Sequence, residues 1–221
     1  MRRVVVVLAL LALALPMAAW ADDISIINQA GNIAISNMSG TLGLGTIGSS
    51  TITSNQSQLT SFDGINSSKG QDLGRVSFTT GVLSSGSVSG GGVFSATGSS
   101  FVVTGQGKWL AGLPGAPTKG KVTLFSGSFV GPIDWTLTSK VGGKLTYSLS
   151  GDLTGVLWNG STVTGTTTQN FYTANGQLLA GIGHISVGNT TLIVPEPGTL
   201  GLLGTGLVGI AGMFRRKLIG S

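Results

Sequence analysis

The stretch IDWTLTSKVGGKLTYSLS (residues 133–150) alternates apolar and polar side chains on both sides of a glycine pair. A period of two is the periodicity of a β-strand, because successive side chains of a strand point to opposite faces. The pair Gly142-Gly143 suits a tight hairpin, whose central residues need positive φ. The stretch therefore predicts two antiparallel strands with one buried face each, and it places Trp135 and Tyr147 on that face.

The same alternation continues through the body of the chain. Strand-like runs are separated by turn pairs such as Asn159-Gly160 and Asn175-Gly176. About ten to fourteen short strands predict an all-β fold, an antiparallel β-sandwich or a flattened barrel. An outer-membrane barrel also alternates and is the main rival. The runs are short for a membrane strand, which needs about nine to eleven tilted residues.

The chain divides into four parts by composition. Residues 1–21 are predicted to be a signal peptide, and residues 22–73 are a low-complexity lead-in, rich in Gly, Ser and Thr, with weak strands. Residues 74–193 carry the clear alternation of a β-rich domain, and residues 194–221 form a C-terminal targeting segment. The lead-in is expected to be either a mobile arm or part of the same sheet structure.

The first residues have the three parts of a secretory signal peptide. Arg2-Arg3 form the positive start, residues 4–15 are apolar, and Ala19-Trp20-Ala21 supplies the small residues that signal peptidase reads. Export through the Sec machinery and cleavage after Ala21 would leave Asp22 as the first residue. A retained anchor helix is the alternative, but the apolar run is short for a membrane span.

The C-terminal segment combines an uncharged stretch with a basic cluster. The stretch Gly198–Phe214 would span roughly 26 Å as a helix, close to the ~30 Å hydrocarbon core of a bilayer. The basic side chains that follow it are Arg215, Arg216 and Lys217. Because positive residues stay on the cytoplasmic side, the pattern predicts a transmembrane helix with the body outside the cytoplasm.

This end of the chain resembles the PEP-CTERM sorting signal of exopolysaccharide-producing Gram-negative bacteria. The matching features are the motif Val194-Pro195-Glu196-Pro197, the apolar helix from Gly198, and the basic cluster close to the terminus. The resemblance covers about the last 25 residues. Two departures are small: Gly198 stands where the family often has Ser or Ala, and residues 218–221 follow the basic cluster.

The resemblance implies a processing enzyme as partner. An exosortase, a membrane-embedded cysteine protease or transpeptidase of the same cell, would recognise Pro195, Glu196 and Pro197 and cleave near them. The chain would be anchored in the inner membrane first, and its body would then be released or transferred to the cell envelope, surface or extracellular matrix. The catalytic nucleophile belongs to the exosortase on this interpretation.

The net charge of +5 does not indicate a nucleic-acid partner. Between Asp22 and Val194 there are seven basic and six acidic side chains, which leaves a net charge of +1. The remaining basic residues belong to the two targeting segments. No basic cluster of the body is large enough to follow a phosphate backbone, so we expect no nucleic-acid binding.

The residues of the body offer little catalytic chemistry. The chain has no cysteine, and His184 is its single histidine, which we expect to be a surface or hydrogen-bonded side chain. Glu is absent from the body and its aspartates are scattered. Metal sites need several ligands and glycosidases need paired carboxylates. We therefore predict no catalytic residue, metal site or cofactor, and no enzyme.

The aromatic residues are the remaining candidates for ligand binding. Tyr and Trp on apolar strand faces are expected in the core. Trp109 differs because residues 105–120 contain Pro114 and Pro117 and resemble a loop, so an exposed ring could stack on a sugar. The sequence favours an exported structural or adhesive component of the cell surface or of a biofilm matrix. A carbohydrate-binding module is the alternative, and an extracellular hydrolase is a remote one.

Overall fold

A computed structural model describes residues 23–36, 48–68, 71–116, 120–173 and 182–195. The predicted signal peptide (1–21), Glu196, Pro197, the predicted span Gly198–Phe214 and the basic cluster 215–217 lie outside these residues. Within the described ranges, no helix is long and apolar enough to cross a membrane. Residues Asp23–Val194 form one compact unit.

The described part of this unit is built of antiparallel strands. The strands are β1 (Asp23–Gln29), β2 (Asn32–Ile35), β3 (Ile52–Phe62), β4 (Ile65–Asn66), β5 (Gly74–Thr79), β6 (Leu83–Ser87), β7 (Gly91–Phe94), β8 (Ser100–Gln106), β9 (Lys121–Val141), β10 (Lys144–Leu157), β11 (Thr162–Thr173) and β12 (Ile182–Ile193). A short 3₁₀ helix, Lys108–Gly112, follows β8. The all-β prediction is confirmed.

Eight of the strands close into a barrel. The pairing order is β10-β11-β12-β1-β3-β5-β8-β9, and β9 pairs back with β10 to complete the ring. At one end β2 lies between β12 and β3, while β7 and β6 extend the sheet from β9. Closure removes the open edges of the ring strands. Of the two predicted architectures, the barrel is therefore the one that forms.

The hairpin of residues 133–150 is confirmed, but its strands are longer than predicted. Gly142 and Gly143 both have positive φ, at 58° and 75°, and join β9 to β10. β9 has 21 residues and β10 has 14, so the prediction of short strands is wrong here. The register between β9 and β10 shifts at Gly131 (φ 76°), where β9 has a bulge. In the sequence, Gly131 and the proline after it resemble the end of a strand, but the bulge allows β9 to continue through them.

The lead-in belongs to the barrel. Residues 23–66 supply β1 to β4, and β1 pairs with both β12 and β3. Its apolar side chains, including Ile26 and Phe62, are fully buried with those of the later strands. Of the two expectations for the lead-in, membership of the same sheet is the one that the structure shows for these residues.

Aromatic side chains fill the barrel interior. Trp135 and Tyr147 are stacked with their ring centroids 4.6 Å apart, and Phe171 lies 5.4 Å from Trp135. The Trp135 Nε1–H donates to the carbonyl of Val88 at 2.6 Å, and the Tyr147 hydroxyl donates to Ser89 at 2.9 Å. Burial raises the pKa of the Tyr147 phenol. Both rings thus bury their apolar area and keep a partner for their polar atom.

Polar side chains also meet inside the barrel. Asn28 donates through Nδ2 to Ser57 Oγ at 2.7 Å and to Gln169 Oε1 at 2.9 Å. Gln169 Nε2 donates to Thr167 Oγ1 at 2.9 Å, and this hydroxyl lies 2.7 Å from that of Thr190. All five side chains are buried. Because each finds a partner, the cluster avoids the cost of unpaired buried polar groups.

We expect Gly188→Ala to destabilise the barrel through this cluster. A β-carbon at Gly188 would clash with Gln169 Oε1 and Asn28 Oδ1. Displacing either amide leaves buried groups unpaired, so the free energy of unfolding should fall by about 1–3 kcal/mol. Urea unfolding measures this. The control is Gly112→Ala, where the added carbon meets open space. Equal stability of the two variants would contradict the expectation.

Candidate functional site

The strand that leads into the predicted sorting motif is held on both sides. Ile193, the last residue of β12, lies opposite Thr164 of β11 and Asp23 of β1. Val194 packs against the core, and Pro195 is exposed. The ordered strand therefore ends two residues before Pro195, and the motif begins where the chain leaves the sheet.

The N-terminal strand leaves the barrel at the same point. Asp23 is the first described residue, and it pairs with Ile193. The expected signal-peptidase site, Ala19 and Ala21, precedes Asp23 by a few residues, and the expected exosortase motif follows Ile193 by one. The first residue of β1 and the last residue of β12 thus lie side by side at one end of the barrel, which we call the terminal end.

Trp109, the residue expected to stack on a ligand, lies in the core. It belongs to the 3₁₀ helix and is only 9% exposed. Its Nε1–H donates to the carbonyls of Gln106 and Leu73 at 2.7 and 3.1 Å, and its ring lies 5.8 Å from that of Phe62. The expectation of an exposed ring is wrong, because the helix turns the indole inward. In this position it presents no face to a sugar.

The other aromatic candidates divide between the core and the surface. Trp135 and Tyr147 are buried, as predicted. Trp158 is half-buried and donates through Nε1 to the carbonyl of Pro114 at 3.0 Å. Tyr172 is half-buried on the outer face of β11, where its neighbours in sequence, Phe171 and Thr173, point inward.

Tyr172 is the centre of a surface cluster that the sequence did not predict. The Lys144 ammonium lies 4.1 Å from the centre of its ring, within the range of a cation–π contact. The His184 ring lies 5.3 Å from it on the other side, and His184 Nδ1 is 2.7 Å from Asn32 Oδ1. We call Lys144, Tyr172, His184 and Asn32 the hairpin-end cluster, because the β9–β10 turn lies at this end of the barrel.

The cluster follows one row across four strands. Tyr172 of β11 lies opposite Thr146 of β10 and His184 of β12, and His184 lies opposite Asn32 of β2. With strands about 4.8 Å apart, the row extends roughly 14 Å. His184 is thus a hydrogen-bonded surface histidine, as expected. From the alternation of β11 in the sequence, Tyr172 could have been predicted on the outer face. Its neighbours on the other strands become known only from the strand order.

The ion pair of the described residues lies elsewhere. It joins Asp72, which precedes β5, to Arg75, which lies within β5. The hydrogen bond from the Arg75 guanidinium, together with its charge, lowers the pKa of the Asp72 carboxyl despite some desolvation. This half-exposed pair connects a loop to its strand and lies toward the terminal end. It contributes little stability, as is usual for surface pairs.

Comparison with known proteins identifies the C-terminal segment. Residues 194–217 match the family model of the PEP-CTERM protein-sorting motif. The match supports export and sorting by an exosortase to the envelope or cell surface, as the resemblance implied. No curated protein and no solved structure matches the chain. The match covers only the sorting motif, so any role of the barrel has to be inferred from the structure of the barrel.

Proposed function

We propose that the chain is a non-enzymatic structural or adhesive component of the surface or extracellular polysaccharide matrix of a Gram-negative bacterium. The observation that carries the proposal is a compact barrel followed at once by a PEP-CTERM sorting motif. Because β12 is paired on both sides up to Ile193, removal of the chain after Pro195 would leave the described sheet intact. The barrel is then the cargo of the sorting system.

The proposed route has three steps. Sec export and signal peptidase produce a chain anchored in the inner membrane by Gly198–Phe214. The exosortase then acts near Pro195, Glu196 and Pro197, and the barrel reaches the envelope or matrix. The exposed position of Pro195, two residues beyond the end of β12, agrees with access by a protease.

The outer surface of the barrel suits a hydrated polymer matrix. Four threonines of β11 point outward and are exposed: Thr162, Thr164, Thr166 and Thr168. Thr166 and Thr168 lie opposite Thr191 and Asn189 of β12. Hydroxyl and amide groups in regular rows can donate and accept hydrogen bonds from sugar hydroxyls or from bridging water. This surface supports a role that depends on contact rather than on turnover.

A deletion strain tests the proposal. We expect cells without the gene to lose cohesion of the surface matrix, measured as the settled fraction of a culture. Complementation with the full chain should restore it. A variant that ends at Val194 keeps the paired sheet but lacks the motif, so it should fold and fail to reach the surface fraction. Unchanged cohesion in the deletion strain would argue against a structural role. Polymer degradation by the purified protein would instead indicate a hydrolase.

A carbohydrate-binding role is the second candidate. The hairpin-end cluster is the observation that favours it, since it combines a half-buried tyrosine with groups able to hydrogen-bond. On this alternative the aromatic side chain at the surface is the half-buried Tyr172 rather than the buried Trp109.

A further inference from the structure

Charge is distributed unevenly along the barrel. Lys140 and Lys144 flank the β9–β10 turn, and His184 lies near them in the sheet. Of the described acids, Asp134 is nearest in register, and its partner Ser150 is six residues from Lys144 along β10. Six residues of strand span about 20 Å, beyond the roughly 10 Å at which salt screens exposed charges.

The other acids of the described residues lie further toward the terminal end. Asp23 pairs with Ile193, Asp152 lies opposite Val130, and Asp72 is paired with Arg75. The amide of Asp63 donates to the carbonyl of Ser25 on β1. The sequence segments 36–51, 76–107 and 173–183, which include the connections β2–β3 and β11–β12, contain no charged residue. Among the described residues, the hairpin end is therefore positive and carries no acidic side chain.

The hairpin-end cluster also has unused hydrogen-bonding groups. Asn32 Oδ1 accepts from His184, so His184 Nδ1 carries the proton and Nε2 is left for another partner. The Tyr172 hydroxyl, the Lys144 ammonium and the Asn32 amide nitrogen have no hydrogen-bond partner among the described residues. Lys144 is held over the ring of Tyr172, which reduces the freedom that it loses when it binds an anion.

We infer that the hairpin-end cluster binds an acidic polysaccharide, a glycan whose sugar rings carry carboxylates. Tyr172 holds the Lys144 ammonium in position to pair with a carboxylate of the sugar. Asn32 Nδ2 and the Tyr172 hydroxyl hydrogen-bond its hydroxyls. A row of about 14 Å contacts more than one ring of an extended polymer. The inference rests on the proposed matrix function and identifies the class of its ligand.

The position of the cluster fits a protein that links a polymer to its attachment point. His184 and Ile193 are nine residues apart on β12, a distance of about 30 Å along the strand. The ligand is thus held at the end of the barrel opposite to the one from which the sorting motif leaves. Nucleic acid is a poorer fit, because two lysines release few counterions and give weak binding.

Binding of defined polymers by the whole chain, purified in detergent, tests the inference. We expect polygalacturonate to bind at low salt, and uncharged dextran and a single-stranded DNA oligonucleotide to bind at least tenfold more weakly. Lys144→Gln and Tyr172→Ala should each weaken polygalacturonate binding about fivefold or more, since a cation–π contact and an ion pair are lost. Thermal unfolding of both variants should stay close to that of the wild type, because both side chains lie on the outer face.

The matched control is Lys121→Gln. Lys121 is an exposed lysine at the start of β9, toward the terminal end, so the change in net charge is the same. If this variant loses as much affinity as Lys144→Gln, binding is non-specific charge attraction and the site is overturned. Equal binding of dextran, or preferred binding of DNA, overturns the ligand class. A separate experiment measures whether the chain reaches the surface fraction of cells. If the chain is sorted but does not bind polygalacturonate, only the proposed binding site is refuted. If it binds polygalacturonate but is not sorted, the proposed function is refuted.

Discussion

Trp135→Ala should lower the free energy of unfolding by about 3–5 kcal/mol, the usual cost of removing a large aromatic ring from a core. Trp135 is 1% exposed, stacks on Tyr147 and touches Phe171. The substitution also leaves the buried carbonyl of Val88 without its donor. Domains of this kind have about 5–15 kcal/mol of total stability, so the variant loses about a fifth of it or more. Denaturant unfolding of the purified chain measures the loss.

Two further variants make the result specific. Trp135→Phe keeps most of the ring packing and loses the hydrogen bond to Val88, so its loss should be smaller than that of the alanine variant. Val141→Ala, at an exposed position of the same strand (73% exposed), should stay within about 0.5 kcal/mol of the wild type. If Trp135→Ala is as stable as Val141→Ala, then Trp135 does not lie in a packed barrel interior.

The correct prediction of Trp135 and Tyr147 in the core shows which structural features a local sequence pattern can predict. Alternation specifies which face of a strand is apolar, and the glycine pair 142–143 specifies a hairpin, because both depend only on neighbouring residues. Closure of the barrel depends on pairs such as Asp23 with Ile193, which are far apart in the chain. No local pattern records that pairing. Strand length was underestimated for a similar reason, since a bulge at Gly131 is visible only with its partner strand.

The candidate sites differ in the same way. The sorting motif is contiguous, so Val194 to Lys217 could be recognised directly from the sequence. The hairpin-end cluster brings Asn32 next to His184 across 152 positions, and only the strand order joins them. For Trp109 the prolines nearby suggested an exposed loop. The expectation is wrong because Trp109 lies in a 3₁₀ turn, and this turn directs the indole N–H of Trp109 to two backbone carbonyls.

Replacing Pro195, Glu196 and Pro197 together by alanine should abolish sorting. Proline disfavours helix in and before its own position, so the two prolines keep the approach to the apolar stretch extended. Alanine is the best helix former and removes the carboxylate, so the new sequence can continue the helix predicted for Gly198–Phe214. We expect a chain that stays in the membrane fraction, with at least a tenfold loss from the surface. Intact mass should show that residues 198–221 are retained.

The barrel provides the control for this experiment. Because β12 ends at Ile193, the alanine variant should unfold at the same temperature as the unprocessed wild type, so a sorting defect cannot come from misfolding. Wild-type chain in cells without exosortase should have the same mass and location as the variant. If wild-type chain keeps residues 198–221 in cells that contain the exosortase, the C-terminal segment is a permanent membrane anchor. The barrel would then remain attached to the inner membrane, and its polymer-binding end would act from there.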